Sequence, residues 1–93
     1  MATIYITGYL DIPPSRVDVV QQALPQQITD TIAEPHCLNY SVTNDKDIEN
    51  RLLVNAKFAN SDALSSHFDR TRDSHWGQVT AGIPRFYEIS EEL

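Results

Sequence analysis

Apolar and polar residues alternate in the first segment of the chain, "TIYITGYLDI" (residues 3–12). Isoleucines and leucines occupy one set of alternating positions, and threonines and tyrosines occupy most of the other. A period of two is typical of a strand with one face in the core. The segments "CLNYSVT" (37–43) and "RLLVNAKFA" (51–59) alternate in the same way, and "RFYEIS" (85–90) is a shorter run. The pattern therefore predicts four strands.

Between the first two strands, "SRVDVVQQALPQQITDTIAE" (15–34) has the three- and four-residue spacing of an amphipathic helix. Its apolar stripe consists of Val17, Val20, Leu24, Ile28 and Ile32. We predict that Ser15 caps this helix. We also predict a kink or break near Ala23–Leu24, because Pro25 removes a backbone donor. The helix should end at Glu34, because the residue before a proline is disfavoured in helical geometry.

A second helix is predicted for "SDALSSHFDRTR" (61–72), capped by Asn60 or Ser61. One side of this helix carries Leu64, His67, Phe68 and Thr71. The following segment, "DSHWGQVTAG" (73–82), predicts a short helical turn. The element order β-α-β-β-α-β is that of a ferredoxin-like α+β fold, an antiparallel sheet with both helices on one face. We predict a single domain over residues 1–93.

The two faces of this sheet differ in polarity. The even-numbered apolar residues of the first three strands should face the helices, with Leu38 and Tyr40 among them. By the same parity Cys37 should face away from the helices. The outer face combines polar residues with two tyrosines and a leucine: Tyr5, Thr7, Tyr9, Asn39, Ser41, Arg51, Leu53 and Asn55. The aromatic residues favour covering by a second copy of the chain, hence a homodimer.

Composition excludes several classes of partner. The formal net charge is −6 in 93 residues, which repels phosphate backbones, so we expect no nucleic-acid partner. No apolar stretch is long enough to span a membrane, and the N-terminal segment lacks a basic leader, so we expect a cytoplasmic protein. Cys37 is the only cysteine, which excludes an intramolecular disulfide and a multi-cysteine zinc site.

Few residues suggest chemistry. His36 and Cys37 are adjacent, but we interpret them as part of a helix-to-strand turn. His67 is the stronger candidate, because it lies on the inward stripe of the second helix and histidine can act as a general base at neutral pH. Trp76 is expected to close the core or stack on a flat ligand, and His75 to lie at the surface. The histidine spacing predicts no metal site, and the sequence contains no glycine-rich phosphate loop.

Two motifs resemble the antibiotic biosynthesis monooxygenase family, whose members are dimeric α+β barrels. "EPHCLNYSV" (34–42) is similar to the family pattern E-P-G-C-L-x-Y-x-V. "FANSDALSSH" (58–67) is similar to W-x-D-x-x-A-L-x-x-H. The strand that runs into a proline turn, "YLDIPPSRVDVV" (9–20), also fits. With the element order, the resemblance covers nearly the whole chain.

The resemblance implies a homodimer whose sheets pack together, and a pocket in each subunit between sheet and helices. Members that oxidise polycyclic phenols use no metal, flavin or haem, so the resemblance implies no cofactor. His67 occupies the position of the family's pocket histidine or tryptophan. Three positions depart from the pattern: His36 replaces a glycine, Ala56 a glutamate that many relatives carry, and Phe58 a tryptophan. Gly8 stands where the haem-degrading branch carries asparagine, which argues against haem chemistry.

Three functions agree with these observations. The first is a cofactor-independent monooxygenase for a small aromatic, phenolic or quinol-like compound. His67 would be its catalytic residue, as the proton acceptor or as an orienting group. The substrate-binding walls would be Leu38, Tyr40, Phe58, Leu64 and Trp76. The second is a non-catalytic module that binds or senses the same kind of small molecule. The third is an isomerase of small carbonyl compounds, which would need more charged groups in the pocket than the predicted faces supply.

Overall fold

The structure is a computed structural model that describes residues 2–92. Its strands and helices are, in chain order, β1 (Thr3–Asp11), α1 (Val17–Ile32), β2 (Cys37–Asn44), β3 (Arg51–Phe58), α2 (Ser61–Arg72), α3 (His75–Val79) and β4 (Arg85–Glu92). A 3₁₀ turn, Pro14–Arg16, precedes α1. The predicted order of elements is confirmed, with α3 as the short additional helix.

The four strands form one antiparallel sheet in the order β2-β3-β1-β4. β1 therefore lies inside the sheet, with Ile6 between Ala56 of β3 and Ile89 of β4. The helices pack on one face of this sheet, so the predicted ferredoxin-like α+β fold is confirmed. Within residues 2–92, no helix is both long enough and apolar enough to cross a membrane.

The core lies between the sheet and the helices. Alternating residues of the first three strands are buried there, as the period of two predicts. The buried strand residues are Ile4, Ile6, Leu10, Tyr40, Val42, Leu52, Val54, Ala56 and Phe58. The helices contribute Val20, Ala23, Leu24, Leu64 and Trp76. Strand β4 differs, because only Tyr87 among its eight residues is even partly buried.

The start and the middle of α1 differ from the prediction. Ser15 is not the N-cap, because it lies within the 3₁₀ turn, and the cap residue Arg16 provides no side-chain hydrogen bond. The helix also continues through Pro25 without a break. Pro25 and Gln21, whose carbonyl loses its helical donor, are both exposed. Water can therefore satisfy that carbonyl, which reduces the cost of a proline inside a helix.

The inner stripe of α1 is more polar than predicted. Ile32, which the apolar spacing placed on this stripe, is 58% exposed. Gln27 and Thr31 are buried instead. A helix has 3.6 residues per turn, so these two positions lie on the same side of α1 as Val20 and Leu24. Buried polar side chains need hydrogen-bond partners, and both find them beside the candidate site.

A β-bulge reverses two predictions at the start of β2. The register shifts between Cys37, which pairs with Phe58, and Asn39, which pairs with Lys57. Leu38 is the extra residue, and its side chain is 56% exposed, so the prediction that it faces the helices is wrong. Cys37 shares the inner face with Phe58 and packs against the core, so its predicted outward orientation is also wrong.

Candidate functional site

His67 lies on the inner side of α2, where the sequence places it. Asn60 starts this helix by accepting a hydrogen bond from the backbone N–H of Ala63 at 2.8 Å. Leu64 and His67, three residues apart, are then directed at the sheet and are the buried residues of α2. The imidazole is surrounded by aromatic rings, with centroid distances of 5.0 Å to Phe58, 5.7 Å to Phe68 and 5.8 Å to Tyr40.

Glu34 holds the imidazole of His67 in place. Its two carboxylate oxygens lie 3.1 and 3.2 Å from Nδ1 of His67. A carboxylate only accepts hydrogen bonds, so Nδ1 carries the proton and donates a hydrogen bond to Glu34. In the neutral ring Nε2 is then the lone-pair acceptor, and it has no hydrogen-bond partner within residues 2–92. The pair is suited to accepting a proton at Nε2.

Arg70 and Thr31 fix Glu34 in turn. Nε of Arg70 donates to Glu34 at 2.8 Å, Nη2 of Arg70 lies 2.6 Å from the same oxygen, and Nη2 also donates to the Thr31 hydroxyl at 3.1 Å. The side chains of His67 and Glu34 are only 7% and 15% exposed. Charge-assisted hydrogen bonds in such a setting are stronger than those in water. We call His67, Glu34, Arg70 and Thr31 the histidine–carboxylate network.

The turn between α1 and β2 explains why Glu34 reaches α2. Pro35 ends the helix, and the backbone N–H of Glu34 closes the turn onto the carbonyl of Thr31 at 3.0 Å. The N–H of Cys37 then bonds the carbonyl of Glu34 at 3.2 Å, where β2 begins. From the sequence, Glu34 was expected only as the end of a helix and the start of the E-P-G-C-like motif, and Arg70 was not identified. The i, i+3 spacing of His67 and Arg70 was the available signal for the latter.

Tyr40 provides the second polar group near His67. Its ring is 8% exposed, and Gln27 donates from Nε2 to its hydroxyl at 3.3 Å. Burial raises the pKa of Tyr40 to about 12. The phenol therefore keeps its proton at neutral pH and can act as a hydrogen-bond donor.

A cavity of about 20 Å³ lies beside His67 on the inner face of the sheet. It is lined by Ile6, Tyr40, Val54, Ala56, Phe58, His67, Phe68 and Tyr87. This space accommodates about one water molecule. The structure thus brings together three of the predicted site residues, namely His67, Tyr40 and Phe58. The predicted wall residues Leu38, Leu64 and Trp76 do not line it, since Leu38 is exposed and the other two are buried elsewhere in the core.

A larger cleft of about 510 Å³ lies on the other side of the network, between the α1–β2 turn and α2. Its walls are Glu34, Pro35, His36, Cys37, Asn60, Asp62, Ala63, Ser66 and Arg70. Burial and the negative charge of Glu34 raise the pKa of the Cys37 thiol, so the thiol stays protonated. Cys37 is therefore unsuited to be a nucleophile, in agreement with the interpretation of His36 and Cys37 as a turn.

The remaining candidates lie away from the small cavity beside His67. His75 and His36 are exposed. Trp76 is 6% exposed in α3 and belongs to the core. Within the described residues, no group of three or more His, Cys, Asp or Glu side chains is close enough together to hold a metal ion.

Comparisons with solved structures support the fold. A candidate antibiotic biosynthesis monooxygenase from Caulobacter crescentus superposes with a TM-score of 0.78 at 22% identity, over 99% of this chain and 91% of that one. A candidate of the same description from Nitrosomonas europaea has a TM-score of 0.78 at 13% identity, over 98% and 90% of the two chains. A protein of unknown function from Bacteroides thetaiotaomicron, described as a possible oxidoreductase, gives 0.78 at 13% identity, over 98% of both chains.

The comparison with curated protein sequences gives no significant match. The sequence model of the antibiotic biosynthesis monooxygenase domain, by contrast, matches residues 3–76. This range runs from β1 into α3 and contains the whole histidine–carboxylate network. The chain belongs to the antibiotic biosynthesis monooxygenase family.

Proposed function

We propose that the protein is a cofactor-independent monooxygenase that oxidises a small aromatic, phenolic or quinol-like compound. The observation that carries the proposal is the buried His67–Glu34 pair at the wall of a cavity lined by aromatic side chains. Family membership supports the reaction class. Phe58 and Tyr40 would be the walls nearest to the reacting atoms.

In the proposed reaction, His67 removes a proton from the bound substrate at Nε2. Glu34 stabilises the resulting imidazolium, because its carboxylate already accepts the hydrogen bond from Nδ1. The Tyr40 hydroxyl donates a hydrogen bond to the oxygen on which the substrate's negative charge develops. The substrate anion transfers electrons to O₂. One oxygen atom becomes a carbonyl of the product, and the other leaves as water with the two hydrogens removed.

Oxygen consumption tests this function. With anthrone or a hydroquinone as substrate, His67→Ala should reduce turnover about 10²–10⁴-fold, because general-base catalysis contributes about that much. The matched control is His75→Ala, which removes an exposed histidine and should leave turnover unchanged. The thermal stability of both variants must be measured in parallel, so that unfolding is not mistaken for lost catalysis. Full turnover in a stable His67→Ala protein would remove this residue from the mechanism.

An isomerase of small carbonyl compounds is the second candidate. Glu34 and Arg70 next to His67 favour it, because they supply the charged groups that proton transfer between carbon atoms requires. Solvent deuterium would then enter an enolisable ketone without oxygen uptake. A third result separates the non-catalytic module from both enzymes. In that case, the wild-type protein would bind the aromatic compound but neither consume oxygen nor exchange hydrogen.

The proposal includes a cytoplasmic homodimer that packs through the outer face of the sheet. Phe86 on this face is 57% exposed and packs against Tyr9 in a tilted arrangement, with a centroid distance of 5.0 Å. The guanidinium of Arg51 lies 3.7 Å from the centre of the Tyr9 ring and bonds Asp11 at 2.7 Å. These contacts hold flat aromatic surface in fixed positions, as a packed interface requires.

A further inference from the structure

The cavity beside His67 is closed to any aromatic substrate as it stands. Its volume of about 20 Å³ holds about one water molecule, whereas bound organic ligands occupy pockets of roughly 300 Å³ or more. Some lining residues must therefore move before a substrate reaches Nε2 of His67. The exposure of the lining residues shows which ones can do so.

Six of the eight lining residues are fixed in the core. Ile6, Tyr40, Val54, Ala56, Phe58 and His67 are each at most 8% exposed. The other two are Phe68, which is 40% exposed, and Tyr87, which is half-buried. The wall between the cavity and the solvent is consequently formed by these two rings, one from α2 and one from β4.

Neither ring is fully enclosed by the core. Phe68 makes one aromatic contact within the described residues, with the His67 ring at 5.7 Å, so its ring can turn outwards without opening the core. Tyr87 lies on the edge strand β4, whose other residues are all exposed. Its ring lies above Gly8, where a Cβ atom would approach Tyr87 Cδ1 to 2.6 Å. The missing side chain of Gly8 thus leaves room for the Tyr87 ring along β1.

We propose that Phe68 and Tyr87 form the entrance to the cavity, and that Phe68 determines the largest planar aromatic compound admitted to His67. This inference rests on the proposed function, since it assigns the substrate to the same cavity. Phe68 lies on the helix side of the sheet, opposite to the face proposed for dimerisation. A second copy on that face leaves the entrance accessible.

The entrance predicts how affinity depends on ring size. A ligand that binds only the open form has its apparent affinity reduced by the fraction of molecules that are open. Phe68→Ala keeps the entrance open. The apparent affinity of the larger ligand should increase more than that of the smaller one, because the larger ligand needs the wider opening. Phe68→Trp should act in the opposite direction.

The experiment uses two unreactive probes under anaerobic conditions, the two-ring 1-naphthol and the three-ring 1-hydroxyanthraquinone. Stopped-flow association and equilibrium dialysis measure their binding to wild type, Phe68→Ala, Phe68→Trp and the control Ile48→Ala. Ile48 is 43% exposed in the β2–β3 turn and lines no part of the cavity. We expect Phe68→Ala to raise the association rate of the three-ring probe about tenfold or more, and that of 1-naphthol by less. Phe68→Trp should lower both rates, and Ile48→Ala should match wild type.

Three results would overturn the inference. Unchanged association rates in both Phe68 variants, with normal binding in wild type, would contradict the proposed entrance but leave the proposed function intact. Failure of both probes to bind either wild type or Phe68→Ala would contradict the proposed entrance and the proposed function together. The variant Ala56→Leu fills the cavity and should abolish binding in the Phe68→Ala background. Undiminished binding in that double variant would show that the probes bind elsewhere, which also excludes this entrance.

Discussion

Tyr40 makes protein stability depend on pH in the alkaline range. Its pKa is raised to about 12 in the folded protein by burial, against 10.0 for the ordinary side chain. The folded state therefore retains the Tyr40 proton more tightly than the unfolded state does. The corresponding stability is fully present below pH 10, where both states are protonated. It is lost as the pH rises from 10 to 12, because ionisation of Tyr40 then lowers the free energy of the unfolded chain.

The magnitude follows from the two pKa values. A difference of about two units corresponds to about 2.7 kcal/mol once the pH exceeds both. At pH 11 about half of this, roughly 1.4 kcal/mol, has been lost. Tyr40→Phe removes the titration. It also removes the hydrogen bond from Gln27, which lowers stability by about 1 kcal/mol at pH 8 independently of Tyr40 ionisation.

Urea denaturation at a fixed protein concentration measures this effect at pH 8, 9, 10 and 11. The difference in unfolding free energy between wild type and Tyr40→Phe should shift by about 1.4 kcal/mol in favour of the variant between pH 8 and pH 11. The control Tyr5→Phe removes a half-exposed phenol and corrects for general alkaline effects. Burial also raises the pKa of Tyr87, but that contribution is common to all three proteins and cancels. Parallel pH profiles for wild type and Tyr40→Phe would refute the reasoning.

Three further predictions test other parts of the structure. Gly8→Ala should destabilise the protein by about 1–3 kcal/mol, since the new methyl group would collide with the carbonyl of Phe86. Thermal denaturation measures this loss of stability, and an unchanged melting temperature would contradict the prediction. Tyr9→Glu should shift the protein towards the monomer in analytical ultracentrifugation, and an undisturbed dimer, or a wild-type monomer at micromolar concentration, would argue against the outer-face interface. Glu34→Gln should lower turnover by about 10²-fold or more, with a smaller change in KM. The amide can still accept the hydrogen bond from Nδ1 of His67, but it does not stabilise the positive charge of the protonated ring. Equal turnover in wild type and variant would exclude that stabilising role of Glu34.

Alternation of apolar residues predicted the first three strands well because each of them has one face in the core and one face outside it. The positions of Ile4, Ile6, Val54 and Phe58 followed directly from that parity. The prediction failed at Leu38, because a bulge inserts one residue without any change in the apolar pattern. Nothing in the local sequence distinguishes an inserted residue from a paired one.

The candidate site was only half predictable for a related reason. His67 could be found because it lies on a helical stripe, and helical spacing is a local property. Glu34 is 33 residues away and becomes its partner only when the turn between α1 and β2 lies against α2. Thr31 looked like an ordinary polar position, yet it is fully buried because Arg70 gives its hydroxyl a donor. Contacts between elements decide such pairs, and periodicity does not encode them.

The strand order has a consequence for how the chain folds during synthesis. β1 is made before the other three strands but lies inside the sheet, and one of its two neighbours is β4, which ends at Glu92. Until that segment has left the ribosome, β1 keeps one edge of unpaired N–H and C=O groups, as every edge strand does. Pairing between Thr3 and Glu92 also closes a loop that contains all the other elements of the sheet and its helices, and such non-local pairing slows folding. We therefore expect nascent chains that lack β4 to aggregate, because their exposed β1 edge can pair with another chain.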